Sequence, residues 1–424
     1  MIPSNKTFYI IQYTILVGAV LLLVLLTAIN KNAPLFDEVL FLGNMELYQR
    51  VGLSNEFLTQ MYDQAPGPLY QIVHTFFKPL TGLKTPGVRL VNVFMFIGTI
   101  GCLGLFLKFA KLSIIDNYKL AALNLIAVPV VWQSAGMALT EVPAMFFSTL
   151  FLCFLWFSLY SDYSKPIKLV FSLVAGLSLG MAIIGRTPYL VLIPALVVFL
   201  IDFEKIKIKL TTTTLTPLFI IGIIASAICI PMFLAWEGMV PPAQRLVSEG
   251  SVKIWHGVLA FAYAGLVTLF INPQWFRISK SILGYSLFSY IILFVLNVVW
   301  FDVSYGPLSS FVSKVLPDNL FNYYLKSVAP ILMVFSAYFI FNLIDKLKDN
   351  LNNQLYLYVV LCLCLLLFSC VGVKHLFSSR YVAQASVFLI IIISDKDKIN
   401  FFKCLRTIIA LLIGVISLDT YINA

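Results

Sequence analysis

The sequence predicts an all-α, polytopic integral membrane protein, and three observations lead to this fold class. Of the 424 residues, 60% are hydrophobic and only 11% are charged, whereas soluble globular proteins carry roughly 25% charged residues. A mean hydropathy of +0.95 over the whole chain cannot come from one membrane anchor. The apolar runs, such as 15–29 and 356–373, are continuous and do not alternate with polar residues, which indicates helices and excludes a membrane β-barrel. A soluble enzyme, a disordered chain and a disulfide scaffold are excluded as well.

Dividing the chain at charge clusters, prolines and glycines predicts about thirteen membrane-spanning helices. Several are shorter than the roughly 20 residues that cross a bilayer without tilt, and the sixth contains Pro188 and Pro194, which kink or interrupt a helix. The first run is too long for the apolar core of a signal peptide, so we interpret it as a span. The predicted spans are 8–29, 89–109, 117–133, 138–160, 168–185, 187–202, 213–236, 256–272, 279–299, 325–345, 354–373, 380–394 and 401–421.

The distribution of basic residues predicts a cytoplasmic N-terminus. If the spans alternate from that start, the inner segments carry 17 of the 29 Lys and Arg residues and eight acidic residues. Short cytoplasmic loops are enriched in Lys and Arg, so this orientation accounts for the net charge of +10 without a nucleic-acid partner. The longest polar segments, 30–88, 237–255 and 300–324, then lie outside.

The first outer loop, 30–88, has the pattern of helices that lie in the membrane interface. From Asp37 to Val51, apolar residues recur at helical spacing with polar residues opposite, which predicts an amphipathic helix. The Ala65–Tyr70 stretch breaks this pattern, and the apolar piece Ile72–Leu80 predicts a second interfacial helix. Four tryptophans near outer span ends are interpreted as an interfacial aromatic belt, with sugar stacking as the alternative: Trp132, Trp236, Trp255 and Trp300.

The sequence contains no nucleotide-binding, zinc-protease, serine-hydrolase or dinucleotide motif. The histidines, His74, His256 and His375, are far apart in the chain, which disfavours a histidine-rich zinc site. The remaining candidates are ionisable groups near outer helix ends. Such groups are costly at the membrane surface unless they are solvated or paired, and they are therefore functional candidates.

The acidic candidates are the adjacent pair Asp37 and Glu38 and the isolated Glu141. A carboxylate just after a membrane span can act as a general base beside a bound lipid headgroup. A solvated helix start, favoured by the helix dipole, is the alternative for the pair. For Glu141, at the start of the fourth span, the alternative is a lone interfacial carboxylate.

The basic candidates are Arg186 and the cluster Lys374, His375 and Arg380. A guanidinium in the turn after Gly185 is suited to a phosphate near the membrane surface, with snorkelling as the alternative. Three basic residues in a short outer loop break the positive-inside trend, which indicates an anionic partner such as a lipid-linked phosphate; a salt bridge to an outer carboxylate is the alternative. Together with the acids, these cations suggest an enzyme that acts on a lipid-phosphate substrate.

Six parts of the sequence match a known set of motifs in the same order: Phe36–Leu40, Pro66–Tyr70, Arg89–Asn92, Thr140–Phe147, Arg186 and Arg380–Tyr381. In this order they resemble the motifs of the GT-C superfamily of polyprenyl-phosphate-sugar glycosyltransferases, most closely those of the dolichyl-phosphate-glucose α-1,2-glucosyltransferases. The resemblance covers the first half of the chain and returns weakly near residue 380. One departure is Thr187-Pro188-Tyr189, where the family has Q-T-N after its arginine. The family's motifs that correspond to these parts are, in order, M-D-E-I-F, P-G-L-Y, R-F-V-N, T-E-A-x-x-F-F, an arginine before the sixth span and a late R-x-Y.

The resemblance implies an inverting transfer of a hexose to an acceptor hydroxyl. It implies that Asp37 is the general base, that Glu38 supports it and that Glu141 orients the acceptor or the donor sugar. The donor phosphate would be held by cations, and residues in the matching motifs join them as candidates for substrate binding. These binding candidates are Arg186, Arg380, Lys374, His375, Arg89 and Tyr70.

The implied partners are a polyprenyl-phosphate-sugar donor, a lipid-linked or other glycan acceptor and membrane lipids, with no nucleic acid. No cofactor is required, although some members of the superfamily use a divalent metal, so a metal is left open. We expect a catalytic GT-C-like module at 1–236 and a second transmembrane module at 237–424. The site would face outside or the lumen, in a prokaryotic plasma membrane because 419–424 holds no retrieval signal, with the ER membrane as the alternative.

Two other functions stay open. A lipid-linked sugar flippase or transporter would place polar residues near the bilayer midplane and show two related halves, whereas here the charges gather at outer helix ends. A lipid-linked polysaccharide polymerase or ligase usually has its large outer loop late in the chain, whereas here the large loop comes first.

Overall fold

The computed structural model describes residues 5–110, 117–203, 207–208, 211–247, 252–373, 376–394 and 399–423. In these ranges the chain is a bundle of helices with one pair of two-residue strands, so the predicted all-α class is confirmed. Ten helices of the described part are long and apolar enough to cross a membrane. Where the sequence predicts further spans there are three shorter apolar helices, and the total of about thirteen stays a prediction. The shorter helices are Tyr118–Ala127, Thr187–Leu200 and Ser379–Ile393.

The first part of the chain contains two long helices with four short helices between them. The predicted helix from Asp37 is present and ends before Gly52, whose φ of 65° is accessible to glycine at no steric cost. The predicted second interfacial helix is divided, since one helix ends at Phe76 and the next begins at Lys78. The helices are α1 (Asn5–Ile29), α2 (Asp37–Val51), α3 (Asn55–Gln60), α4 (Leu69–Phe76), α5 (Lys78–Thr81) and α6 (Gly87–Ala110).

The middle part packs two long helices closely through glycines. A Cβ atom on Gly176 or Gly180 would lie 2.7 Å from Ile224 or Ile228 of the facing helix, so these glycines allow the two helices to approach closely. Three 3₁₀ segments, Asn124–Ala127, Thr187–Val191 and Leu196–Leu200, extend the short helices. The elements are α7 (Tyr118–Leu123), α8 (Pro129–Gly136), α9 (Glu141–Tyr160), α10 (Lys165–Gly185), α11 (Leu192–Ala195), strands β1 (Ile201–Asp202) and β2 (Lys207–Ile208), which pair antiparallel, and α12 (Thr212–Trp236).

The last part contains the longest helix and the most exposed span. The Lys280–Phe301 span is only 6% buried over its apolar window, because it packs along one side only. Irregular helical turns occur at Pro273–Trp275, Asn297–Phe301, Ser369–Gly372 and Ser379–Ala385. The helices are α13 (Pro242–Val247), α14 (Ile254–Ile271), α15 (Lys280–Leu296), α16 (Ser309–Val315), α17 (Asp318–Lys348), α18 (Gln354–Phe368), α19 (Ser386–Ile393) and α20 (Phe401–Ile422).

Hydrogen bonds between distant segments identify the two ends of the bundle. At one end, the Asn32 side chain donates to the carbonyl of Ile422 at 3.2 Å, and the Trp236 indole donates to the carbonyl of Leu58 at 2.9 Å. At the other end, the Gln354 side chain donates to the carbonyl of Ile201 at 2.8 Å. We call the first of these the apical end. It contains the described residues of the segments predicted as outer, while the orientation of the termini stays a prediction.

The predicted aromatic belt is wrong for two of the four tryptophans. Trp132 and Trp236 are fully buried inside the bundle and cannot lie at a lipid interface. Trp132 donates to the carbonyl of Ile126 at 2.8 Å, and it fills the space left by the missing side chain of Gly414. Trp300, in contrast, is 77% exposed, as expected for a residue at a membrane surface.

Candidate active site

Asp37 and Glu38 begin α2 at the apical end and lie in different surroundings. Phe36, just before them, has φ 50° and ψ −129°, a conformation that costs a non-glycine residue about 1–3 kcal/mol. Consecutive residues of a helix are rotated by about 100°, so one carboxylate can face the interior while the other reaches the surface. Glu38 is fully buried, whereas the side chain of Asp37 is 35% exposed.

Glu38 forms a bidentate ion pair with Arg89 in the first turn of α6. Arg89 Nε lies 2.8 Å from Glu38 Oε1, and Arg89 Nη2 lies 2.5 Å from Glu38 Oε2. Both side chains are fully buried. Glu38 also accepts hydrogen bonds from the backbone N–H groups of Leu35 at 3.0 Å and Ala138 at 2.7 Å. Four donors therefore saturate this carboxylate, which leaves it unsuited to accept a proton from a substrate.

The remaining donors of Arg89 bind the segment that joins α1 to α2. Arg89 Nη1 donates to Asn30 Oδ1 at 2.7 Å and to the carbonyl of Asn32 at 3.4 Å. Its Nη2 donates to the carbonyl of Ala33 at 3.2 Å. Every nitrogen of the guanidinium has a protein partner, and the side chain is inaccessible. The structure thus places Arg89, a predicted substrate-binding residue, where it connects segments of the protein.

Asn92, one turn after Arg89, holds the segment that leads to Glu141. Its side-chain amide donates to the carbonyls of Met137 at 2.8 Å and Leu139 at 2.7 Å. The backbone N–H between them, that of Ala138, is the group that binds Glu38. The Arg89–Asn92 motif of the sequence therefore corresponds to one face of α6 that fixes residues 137–139.

Asp37 forms an ion pair with Arg380, which is 343 positions later in the chain. Arg380 Nη2 donates to Asp37 Oδ2. Arg380 lies in the 3₁₀ segment that leads into α19, and its side chain is 15% exposed. The pair therefore lies between the protein interior and the surface. It is the salt bridge to an outer carboxylate that the sequence leaves as the alternative for Arg380.

Glu141 lies between two arginines. Its Oε1 is 3.4 Å from Arg186 Nη1 and 3.9 Å from Arg380 Nε. Arg186 Nη1 also lies 3.4 Å from the hydroxyl of Thr140. Glu141 begins α9 and Arg186 follows the end of α10, so two helix ends bring these groups together. The result is a row of alternating charges in the order Arg186, Glu141, Arg380 and Asp37.

The ring of Tyr381 contacts both arginines of this row. The Cζ atom of Arg186 is 5.9 Å from the ring centroid, and that of Arg380 is 5.5 Å away. Both distances fall within the range of cation–π attraction. Tyr381 therefore helps to keep two like charges near each other.

Three polar atoms of the row have no hydrogen-bond partner among the described residues. They are Glu141 Oε2, Arg186 Nε and Arg380 Nε, all of them buried. Buried polar atoms of native proteins are generally paired, so each unpaired one calls for an explanation. Two guanidinium donors and one carboxylate acceptor that are left over in one place suit a ligand that carries both an anion and hydroxyl groups.

Tyr70, another predicted binding residue, is fully buried in α4. Its ring centroid lies 4.1 Å from that of His74 and 5.2 Å from that of Phe41. Burial raises the pKa of the Tyr70 hydroxyl well above its usual range; the Glu38 carboxylate adds to this rise and Arg89 opposes it. Burial lowers the pKa of His74 to about 3. Both rings are therefore neutral near pH 7 and are buried between α4 and α2.

Two predicted binding residues, Lys374 and His375, lie outside the residues that the structure describes. A metal site would need several His, Cys, Asp or Glu side chains close together. In the described ranges no group of three His, Cys, Asp or Glu side chains could hold a metal ion. The two carboxylates of the row, Asp37 and Glu141, both face Arg380, which lies between them. The expectation that no cofactor is required, with a divalent metal left open, stays a prediction.

The structure brings four of the candidate residues, Asp37, Glu141, Arg186 and Arg380, together in the charged row. Sequence reasoning did not find Asn30, whose side chain completes the coordination of Arg89. It also assigned no role to the backbone of Ala138. An asparagine just after a span is an ordinary loop residue, and a backbone N–H has no sequence signal.

Comparisons with known proteins find only distant similarity. No family model matches the chain, and no curated protein matches it. Among solved structures, ArnT from Cupriavidus metallidurans bound to undecaprenyl phosphate is 14% identical with a TM-score of 0.45, over 93% of this chain and 77% of that one. The apo state of the same protein is 13% identical with a TM-score of 0.44, over 95% and 78%.

A third similar structure is the Archaeoglobus fulgidus oligosaccharyltransferase tethered with an acceptor peptide. It is 13% identical with a TM-score of 0.37, over 89% of this chain and 55% of that one. ArnT and this oligosaccharyltransferase are GT-C superfamily members. At such low similarity we take no activity from them, and the resemblance to dolichyl-phosphate-glucose glucosyltransferases stays a prediction.

Proposed function

We propose that the protein is a GT-C-type glycosyltransferase that moves a hexose from a polyprenyl-phosphate donor to an acceptor hydroxyl. One observation carries this proposal. The partly exposed Asp37 carboxylate pairs with Arg380 at the apical end, and Glu141 connects Arg380 to a second arginine, Arg186. A base and a pair of cations at a membrane surface are the groups that transfer from a lipid phosphate requires.

In the proposed reaction the acceptor oxygen attacks the anomeric carbon of the donor sugar. The bond from that carbon to the phosphate oxygen breaks with its electron pair, and polyprenyl phosphate leaves. The acceptor proton passes to Asp37, which later releases it to water. The attacking oxygen approaches opposite to the leaving phosphate, so the configuration inverts.

The two arginines would neutralise the charge that develops on the leaving phosphate. Guanidinium groups bind phosphate oxygens through charge-assisted hydrogen bonds, and a partly buried site strengthens them. The free Oε2 of Glu141 would accept a hydrogen bond from a sugar hydroxyl and so orient the donor or the acceptor. Lys374 and His375 stay proposed as further phosphate ligands.

The finer features of the proposal follow from the sequence. The acceptor would be a lipid-linked or other glycan, and the site would face outside a prokaryotic plasma membrane, with the N-terminus in the cytoplasm. The division at 236/237 stays a proposal as well. If it is correct, both modules supply the site, because Asp37 and Glu141 precede the division and Arg380 follows it.

The test is sugar transfer by the purified full-length chain in detergent. Labelled polyprenyl-phosphate hexoses would be supplied with a lipid extract as the source of acceptor, with and without a chelator. Wild type would be compared with Asp37→Asn and with the matched control Asp302→Asn. Asp302 is a 78% exposed acid that pairs with Lys326, outside the charged row.

We expect wild type and Asp302→Asn to consume a donor alike. Asp37→Asn should be about 10²–10⁴-fold slower, which is the contribution of a general base. Equal rates for all three would keep the enzyme class and remove Asp37 from its role. Consumption of no donor, together with movement of the lipid-linked sugar across proteoliposomes, would overturn the proposal in favour of a flippase. A chelator that stops wild type would establish a metal requirement.

A further inference from the structure

Glu38 and Arg89 form an ion pair that takes no direct part in the proposed transfer reaction. They are fully buried, and each is saturated by protein partners. Neither can touch a substrate without the pair opening. Removing two charges from water has a desolvation cost that an apolar pair of the same size avoids. The feature that this pair offers in return is fixed geometry, because a bidentate fork holds both groups in one orientation.

The segments that the pair joins are the ones that carry the proposed catalytic acids. Through Glu38 it holds the first turn of α2, where Asp37 is the preceding residue. Through the backbone N–H of Ala138 it holds the segment that ends at Glu141, three positions later. Through Arg89 it holds the connection between α1 and α2. The same buried ion pair therefore holds the two segments that carry Asp37 and Glu141.

The backbone just before Asp37 has an unfavourable conformation that its own side chain does little to maintain. Phe36 has a positive φ of 50°, and its ring is 52% exposed, with Tyr421 at 5.4 Å as its aromatic neighbour. An exposed side chain offers little packing to maintain an unfavourable backbone conformation. The surrounding structure has to impose it, and the hydrogen bond from Leu35 N–H to Glu38 spans this residue.

We infer that Glu38 and Arg89 are positioning residues that place Asp37 and Glu141 for catalysis without contacting the substrate. This inference rests on the proposed function. It assigns different roles to the two adjacent acids, with Asp37 as the base and Glu38 as the residue that positions it. Loss of the fork should displace Asp37 and Glu141, whereas Arg186 and Arg380 belong to other segments, after α10 and before α19, that the fork does not contact.

The experiment compares Glu38→Gln and Arg89→Lys with the matched control Arg277→Lys. The Gln variant keeps the shape of Glu38 without its charge, and the Lys variant keeps the charge of Arg89 without its fork. Arg277 pairs with Asp345 and Asp349 at the other end of the bundle and is exposed. For each chain we would measure kcat and the donor KM per folded molecule, together with the thermal stability in detergent.

We expect kcat of Glu38→Gln and Arg89→Lys to fall roughly 10- to 100-fold, as for a displacement of about 1 Å at a reacting group. The donor KM should not change, and Arg277→Lys should behave like wild type. A rise in the donor KM with kcat unchanged would show that Arg89 binds substrate and would overturn the inference. Lower thermal stability with unchanged kcat per folded molecule would also overturn it, because the pair would then only support the fold.

A second measurement needs no turnover and separates this inference from the proposed function. Asp37→Cys would be labelled with a charged maleimide in a chain that carries Cys102→Ser and Cys364→Ser, the two half-buried cysteines. We expect the labelling rate to change several-fold when Glu38→Gln is added. An unchanged rate would overturn the inference, even if wild type transfers no sugar.

Discussion

The two adjacent carboxylates at the start of α2 have opposite surroundings, although each is paired with an arginine. Glu38 is sealed in the protein and bound by four donors. Asp37 is 35% exposed, and its arginine also faces Glu141. One pair uses all of its hydrogen-bonding capacity within the protein. The other belongs to a row in which three buried polar atoms of Glu141 and the two arginines have no partner in the described part of the chain.

This difference separates stability from activity at neighbouring positions. Removing one member of a buried ion pair leaves an uncompensated charge and costs about 3–5 kcal/mol. A partly exposed pair contributes only about 0–1 kcal/mol, because water screens it. Glu38 and Arg89 should therefore dominate the stability of the apical end, whereas Asp37 should matter for chemistry.

The largest effect is expected for Arg89→Met. The free energy of unfolding should fall by about 3–5 kcal/mol, because Glu38 is left buried without its partner. Adding Glu38→Leu should restore part of this loss, since the double variant holds no buried charge. The measurement is unfolding in detergent micelles, analysed as a double-mutant cycle. A loss below about 1 kcal/mol for Arg89→Met would mean that water reaches the pair, and the contrast with Asp37 would fail.

His74 tests whether the buried side of α2 stays dry in acid. Its pKa of about 3 in the folded protein lies below the ordinary value of 6.5, so the unfolded chain binds the proton first as the pH falls. Stability is therefore lost below pH 6.5 and continues to fall towards pH 3, with about 2 kcal/mol lost by pH 5. His74→Phe should flatten the melting temperature between pH 7 and pH 5. The same slope in the variant and wild type would show that His74 is hydrated.

A smaller effect on stability is expected at the exposed member of the comparison. Asp37→Asn should change the free energy of unfolding by less than about 1 kcal/mol, even though sugar transfer should be about 10²–10⁴-fold slower. The measurement is detergent unfolding of the same preparations that are used for the transfer assay. A loss as large as that of Arg89→Met would show that Asp37 supports the fold, and its slow transfer would then say little about proton removal.

The smallest effect is expected for Tyr70→Phe. The Tyr70 hydroxyl is buried and has no hydrogen-bond partner in the described structure, so removing it should leave stability unchanged or raise it by about 1 kcal/mol. The donor KM should also be unchanged, because the ring is inaccessible. A higher KM would restore Tyr70 to the substrate-binding role that the motif resemblance implies.

Hydropathy and periodicity predicted much of the architecture because they depend on neighbours in sequence. The α2 helix begins at Asp37 and ends at Val51, as its amphipathic pattern indicates. Trp132 shows the limit, since local sequence near a span end cannot distinguish a lipid-facing indole from one that fills a gap beside Gly414.

For the candidate site, the motifs include the charged residues that the structure brings together, but they do not indicate which residues pair. Whether Asp37 or Glu38 faces the interior depends on which side of α2 meets α6, a tertiary contact with no local signal. The same holds for Arg89, whose partners include two backbone carbonyls and the side chain of Asn30. Residues of one motif can therefore lie in different surroundings that the local sequence does not reveal.

The separations of the two ion pairs along the chain have a consequence for biosynthesis. Glu38 and Arg89 are 51 positions apart, whereas Asp37 and Arg380 are 343 positions apart. At an elongation rate of about 5–20 residues per second, the ribosome makes Arg380 some tens of seconds after Asp37. The inner fork can close while most helices are still unmade. A nascent chain would therefore hold its future base in place before any arginine of the last helices exists to neutralise it.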